Sequence, residues 1–302
     1  MIDDHHKHHL NKKVLLISFL IIFSYTAVEI IGGFFTNSLA LLSDAGHMLS
    51  DSFSLGIALF AFILSGKFTD EKRTYGNKRF EILAALINGV LLLLVSGFIF
   101  YEAVERLKNP PEIATSGMLI ISVIGLLVNI LVAWIMHRSG DTKENLNIRG
   151  AFLHVLSDLF GSIGAITAAV LIMIFSWTWT DAVAGIVVAL LVLRSGVIIT
   201  KDSLHIMLER APKNIDLKKV ISEIESEEKI ESLHDVHLWT ITSGVHAFTC
   251  HAVLKGEPSL TETTELLKRI EEKLHELGIN HITIQIETAN HNHSDTLFCR
   301  TK

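Results

Sequence analysis

Cysteine is nearly absent. The 302 residues hold two, Cys250 and Cys299, in no CxxC pattern. That excludes a disulfide framework, and nothing in the cysteine usage places the protein outside the cytoplasmic membrane. Positive charge is not in excess either: 26 Lys+Arg stand against 32 Asp+Glu, a net charge of -6, which argues against a nucleic-acid partner. A cleavable signal peptide is not expected, because the N-terminus is polar and the first apolar stretch is as long as a full membrane span. No HExxH motif occurs, so the chain lacks that signature of a zinc protease. It also lacks the polarity of a soluble domain. With 49% hydrophobic residues and a mean hydropathy of +0.43, it reads as a membrane protein with a polar part attached.

Histidine is abundant, sixteen in all, and clustered. The phrase His47-Met48-Leu49-Ser50-Asp51 returns as His154-Val155-Leu156-Ser157-Asp158, each copy inside a strongly apolar run. On a helix, His and Asp four residues apart share one face. Two such helices facing each other offer His47, Asp51, His154 and Asp158, a tetrahedral donor set for a dication such as zinc. Two carboxylates and two neutral imidazoles sum to minus two, which a divalent ion cancels. Without the ion, close carboxylates in low dielectric retain protons. A site of this composition can therefore exchange a metal ion for protons. The bland alternative is two His–Asp pairs, each satisfied along its own helix.

Residues 1–13 carry His5, His6, His8 and His9 among lysines and read as a polar, disordered cytoplasmic arm. It is either a plain basic tail or a loose metal-collecting arm. Residues 14–207 hold six apolar stretches, at 14–34, 38–64, 80–104, 115–138, 148–176 and 180–201, each long enough to span about 30 Å of hydrocarbon. The predicted fold is thus an all-α bundle of six transmembrane helices. Lys and Arg gather on the side of the N-terminus, which puts both termini in the cytoplasm. Spans 2 and 5 are then antiparallel, and both motif copies lie within the hydrocarbon, where a charged side chain costs several kcal/mol.

Other polar residues fall in the spans. Asn88 and Asn129 read as interhelical hydrogen-bond glue, and Gly32, Gly33, Gly161 and Gly164 as points of close helix approach. Asp44, one turn before His47, either lines an outer vestibule, accepts protons, or bonds backbone near its helix start. Glu29 needs a partner, and Arg194 in span 6 is one candidate. The basic connections 65–79 and 138–149 read as topology signals and lipid-headgroup contacts, with Asn145 or Asn147 capping span 5.

Hydropathy falls after Lys201, and residues 208–302 read as a cytoplasmic α+β domain of order α-β-β-α-β, ferredoxin- or metallochaperone-like. Its helices are expected at 215–228 and 260–277, and its strands at 234–242, 246–254 and 282–287. The domain holds His234, His237, His246, His251, His281, His291, His293, Glu287 and Cys299. As a set they favour a second metal site, but spacing alone does not select its ligands.

The repeated HxxLSD, the αββαβ tail and the phrases Ser43-Asp44-Ala45-Gly46-His47, Tyr75-Gly76-Asn77-Lys78-Arg79 and Arg149-Gly150-Ala151-Phe152-Leu153-His154 together resemble the cation diffusion facilitator family. The likeness is closest to its bacterial cobalt–zinc–cadmium efflux type and covers essentially the whole chain. The resemblance implies a homodimeric metal/proton antiporter in the plasma membrane, with zinc, cadmium and cobalt as substrates and protons as counter-ion. It places the transport site at His47, Asp51, His154 and Asp158. It also implies a cytoplasmic site at His234, His251 and Glu287, with zinc as regulatory ligand. Gln285 stands where some members have a further His, which argues against a full two-metal site. Arg73 and Asn77 stand where some members have His ligands in the span 2–3 connection. The rivals are a membrane-tethered zinc sensor and an intramembrane zinc enzyme. A catalytic zinc keeps an open position for water, which four protein ligands would close.

Overall fold

The computed structural model describes the backbone of residues 2–64, 71, 74–138, 146–288 and 296–298. Side chains are described at 16–50, 52, 56, 71, 74–135, 158–288 and 296–298. Six long helices come first: α1 (Ile2–Thr36), α2 (Leu39–Leu64), α3 (Arg79–Lys108), α4 (Thr115–Arg138), α5 (Leu146–Phe175) and α6 (Trp179–Met207). The small domain follows as α7 (Leu217–Glu225), β1 (Ile230–Thr242), β2 (Val245–Leu254), α8 (Leu260–Glu276) and β3 (His281–Thr288).

Packing divides the chain into two compact units. One holds Met1–Phe60 and Ala85–Thr200, and the other Ala61–Ala84 and Lys201–Lys302. Among the described residues, five helical segments are long and apolar enough to cross a membrane: Leu16–Thr36, Arg79–Lys108, Thr115–Ile135, Asp158–Phe175 and Trp179–Met207. Their outward faces carry exposed Phe34, Phe98, Leu94, Ile120, Phe160 and Ile174, a surface suited to lipid rather than water. The Trp177 and Trp179 rings meet in a tilted contact, centroids 5.8 Å apart, at the α5–α6 turn, as an interface position favours.

The interior is knitted by small and polar residues. Cβ atoms at Gly32 and Gly33 would come within 3.0 Å of Ile121 and Leu42, so these glycines permit the close approach expected of them. Gly164 differs, since nothing described lies within 4 Å of its Cβ position. The start of α2 is capped from another helix. Asp181 of α6 accepts from Ser38 Oγ at 2.6 Å and from the amides of Leu39 and Ala40 at 2.7 and 3.1 Å. Free N–H groups at a helix start attract a carboxylate, and Arg106 Nη1 lies 3.7 Å from the same Asp181.

Two expectations need correction. The arm 1–13 does not form a disordered tail, because α1 begins at Ile2 and runs through it as one helix. Helix propagation from an already formed span costs little, and Lys and His are tolerated inside it. Asn147 lies inside α5 rather than capping it, and Asn145 is outside the described residues. In the 65–79 connection, Tyr75 meets the His281 ring edge-on at 5.6 Å and Arg79 pairs with Glu209 at 2.8 Å.

The small domain has the expected element order. Its sheet runs β1-β2-β3, with β1 and β2 antiparallel and β2 and β3 parallel across α8. Gly244 turns the hairpin at φ 72° and Gly278 ends the α8 region at φ 86°, conformations that glycine adopts without strain. A Ser259–Glu262 capping box starts α8. Val220, Ile224, Leu266, Ile270 and Leu274 bury the helix stripes against Leu233, Leu238, Phe248 and Ala252 of the sheet.

Candidate metal centres

The two copies of the repeated phrase fall on α2 and α5. His47 Nε2 lies 3.6 Å from Asp158 Oδ1, with the Asp158 side chain 2% exposed and that of His47 13%. One donor of each copy is thus brought to the other across a helix pair. Asp51 and His154 lie in the same helices, one turn from His47 and Asp158, and their side chains are outside the described residues.

A second contact joins the same helices. A Cβ at Gly161 of α5 would lie 2.4 Å from Asp44 Oδ1, so the Asp44 carboxyl rests against the α5 backbone. Asp44 is buried, 1% exposed. Glu29 is its buried neighbour from α1. Arg194 is exposed on α6 and makes no ion pair with Glu29 among the described residues. The Tyr25 hydroxyl instead sits 3.4 Å from Glu29 Oε1 and donates to Ile121 O at 2.9 Å. No sequence pattern flags Tyr25, although its i,i+4 spacing to Glu29 places the two on one helix face.

The interhelical role expected of Asn88 is present. Its Nδ2 donates to Ser50 Oγ at 2.9 Å and Ser50 O at 3.3 Å, and Ser50 Oγ donates to Asn88 Oδ1 at 3.2 Å. Asn129 is fully buried in α4, and its amide meets no hydrogen-bond partner among the described residues.

In the small domain, sheet register gathers what spacing leaves apart. His234 and His251 are direct cross-strand partners on β1 and β2. Gln285 is the β3 partner of His251, and Glu287 follows two residues later on the same face. His251 Nδ1 is 2.7 Å from Glu287 Oε1, and His234 Nε2 is 3.3 Å from Glu287 Oε2. The His234 and His251 rings meet edge-on at 5.0 Å. One donor atom from each of the three residues lies within 4.8 Å of those of the other two. Zinc at about 2.0–2.1 Å from each ligand separates tetrahedral donors by about 3.4 Å, so these spacings need little adjustment.

Burial alone would push the Glu287 carboxyl up. Hydrogen bonds from His251 and Gln285 and the charges of His251 and His234 outweigh it and hold Glu287 below the usual carboxylate range. Gln285 thus donates to the carboxylate where a further His would ligate. Asp235, raised on a bulge at φ 51°, brings Oδ2 to 3.8 Å from His251 Nε2; it was not singled out from the sequence, although it adjoins His234.

The remaining histidines lie elsewhere. His237 is exposed and bonds Asp235 O, His246 is buried against Thr240, and His281 packs on Tyr75. His291, His293 and Cys299 are outside the described residues.

Apolar spanning helices that bring a His–Asp pair together, joined to an αββαβ domain with its own His–His–Glu cluster, define a multi-pass membrane protein built to handle metal cations. Comparison with known proteins agrees. Residues 15–208 match the cation efflux transmembrane domain, and residues 212–289 the cytoplasmic domain of cation efflux proteins. The chain is 58% identical over 297 residues to the cadmium, cobalt and zinc/H(+)-K(+) antiporter of Bacillus subtilis, covering 98% of this chain and 96% of that one. It is 40% identical over 280 residues to the metal cation efflux system protein CzcD of Cupriavidus metallidurans, covering 92% and 87%. It is 41% identical over 232 residues to the zinc transporter ZitB of Escherichia coli, covering 76% and 74%. This chain belongs to the cation efflux family.

Proposed function

We propose that this protein exports zinc, and with it cadmium and cobalt, from the cytoplasm across the cell membrane in exchange for protons. The observation that carries the reading is the 3.6 Å approach of His47 to Asp158 between α2 and α5. With Asp51 and His154 one turn away on the same helices, the donor set is two imidazoles and two carboxylates, which suits a borderline-soft dication. The names of the Bacillus, Cupriavidus and Escherichia relatives support the substrates and the antiport. Four protein ligands leave no open position for a catalytic water, which favours transport over catalysis.

In this reading α2 also crosses the membrane, which makes six spans, and both termini lie in the cytoplasm. Residues 1–13 form the cytoplasmic His-rich arm, 14–207 the transport domain and 208–302 the cytoplasmic regulatory domain. Zinc entering from the cytoplasm displaces protons from Asp51, Asp158 and His154. The loaded site then opens outward, and external protons return as zinc leaves. Two copies pair through their cytoplasmic domains, where His234, His251 and Glu287 bind zinc as a regulatory ligand.

The test is zinc uptake into sealed proteoliposomes under an imposed proton gradient, with His154→Ala beside the parent. Gradient-driven uptake that is lost in the variant is expected. Tight zinc binding with no movement under any gradient would make the protein a sensor and overturn the reading.

A further inference from the structure

We infer that Asn88 is a positioning residue for the α2 half of the membrane metal site, acting through Ser50. The inference rests on the functional reading above. Asn88 and Ser50 are buried, 3% and 5% exposed, and three contacts join them. Two of these are ordinary side-chain bonds between helices. The third is different, because Asn88 Nδ2 also donates to the Ser50 carbonyl. Within a helix that carbonyl already has a partner four residues on, so the Asn88 donor is not needed to satisfy it. What it adds is a grip on the α2 backbone itself.

The place of the grip matters. Ser50 follows His47 by three residues and directly precedes Asp51. The clamp therefore holds the turn that joins the two α2 donors. A side chain that bonds both a hydroxyl and the carbonyl of one residue resists sliding and rotation of that turn. Metal sites tolerate donor displacements of only about 0.2 Å. A donor about 6 Å from the helix axis moves by about 1 Å when the helix turns by about 10°. A rotation too small to disturb apolar packing is thus large enough to spoil the coordination. Outer-shell groups that fix ligand orientation commonly change metal affinity 10–100-fold.

The test uses the full-length protein in detergent and cobalt(II) as a spectroscopic probe. The membrane-site signal is defined as the part of the tetrahedral cobalt spectrum that Asp158→Asn removes. Asn88→Ala is expected to weaken that part about tenfold in cobalt affinity and to shift its band shape, with the elution volume of the protein unchanged. Ser50→Ala keeps the carbonyl contact, folds with less risk, and should give the same shift at smaller size. If Asp158→Asn removes no signal, the assignment of the membrane site fails and this inference falls with it. If that signal exists and both Asn88→Ala and Ser50→Ala leave its affinity and shape at parental values, the clamp is simple helix glue and only this inference is overturned.

Discussion

Two regions of the molecule bring histidine to a carboxylate, and they do so by opposite means. In the membrane unit, His47 and Asp158 come from two copies of one phrase on two helices, and the Asp158 side chain is 2% exposed. In the small domain, His234, His251 and Glu287 come from three strands with no shared phrase, and His251 keeps 30% of its side chain in solvent. The donors are alike but their settings are not. Glu287 is held as a carboxylate by the N–H groups of His251 and Gln285, so it is ready for a cation at neutral pH. The helix site has a low-dielectric surround, where binding a dication must be matched by loss of protons. On the proposed reading, similar donors thus serve a sensing role in one place and a coupled exchange in the other.

The sharpest way to break that contrast is to neutralise one carboxylate in each region. Asp158→Asn removes a membrane donor, and zinc flux is expected to fall about a hundredfold or more. Glu287→Gln should leave flux at saturating zinc within about threefold while lowering metal affinity of the cytoplasmic cluster about 10–100-fold. Flux in proteoliposomes and equilibrium metal binding check both. Equal flux losses in the two variants would mean that the regions do not divide the work as described.

The two regions also differed in how far the sequence disclosed them. The membrane pair was legible because helical period turns i,i+4 spacing into a shared face, and the duplicated phrase supplies both faces. The cluster was not legible from spacing. His234 and His251 are 17 positions apart in the chain and meet only through hairpin register, and Glu287 joins through a parallel pairing across α8. Family resemblance, not pattern, selected those three. Elements with strong periodicity and caps, such as α8 with Ser259 and Gly278, were readable to within a residue. Contacts that depend on which helices adjoin were not. The Asp181 cap on α2, the Tyr25–Glu29 pair and the seat of Asp44 against Gly161 join residues whose spacing carries no message.

Gly161 and Gly164 sharpen the comparison within the membrane unit. Both were expected to ease helix packing, yet among the described residues only Gly161 has a neighbour within 4 Å of its Cβ position. A methyl group there would sit 2.4 Å from Asp44 Oδ1 and 3.0 Å from its Cγ, so the carboxyl must move or α2 and α5 must part. Overpacking of this kind costs about 1–3 kcal/mol. If the displacement reaches the His47–Asp158 approach, Gly161→Ala should lower zinc flux roughly three- to tenfold, and Gly164→Ala should not change it. Matching flux in the two variants would show that the Asp44 contact lies outside the working part of the α2–α5 pair.

The smallest expected effect separates the cluster from the rest of its sheet. His246 lies on β2, five residues before His251, but faces Thr240 and is buried. Burial disfavours its charged form and lowers its pKa from 6.5. In the unfolded chain His246 takes a proton near pH 6.5, while in the fold it stays neutral to lower pH. Its contribution to stability is therefore complete above pH 6.5 and declines as pH falls through and below that value. With metal removed by chelator, hydrogen exchange of the β1 and β2 amides should speed up as pH drops from 7 toward 5.5, after correction for intrinsic exchange rates. His246→Gln should flatten that limb, because glutamine takes no proton over this range. His251→Gln, on the same strand, should leave the limb in place. A limb that vanished with His251 instead would assign the pH sensitivity of the sheet to the metal cluster and not to its packing.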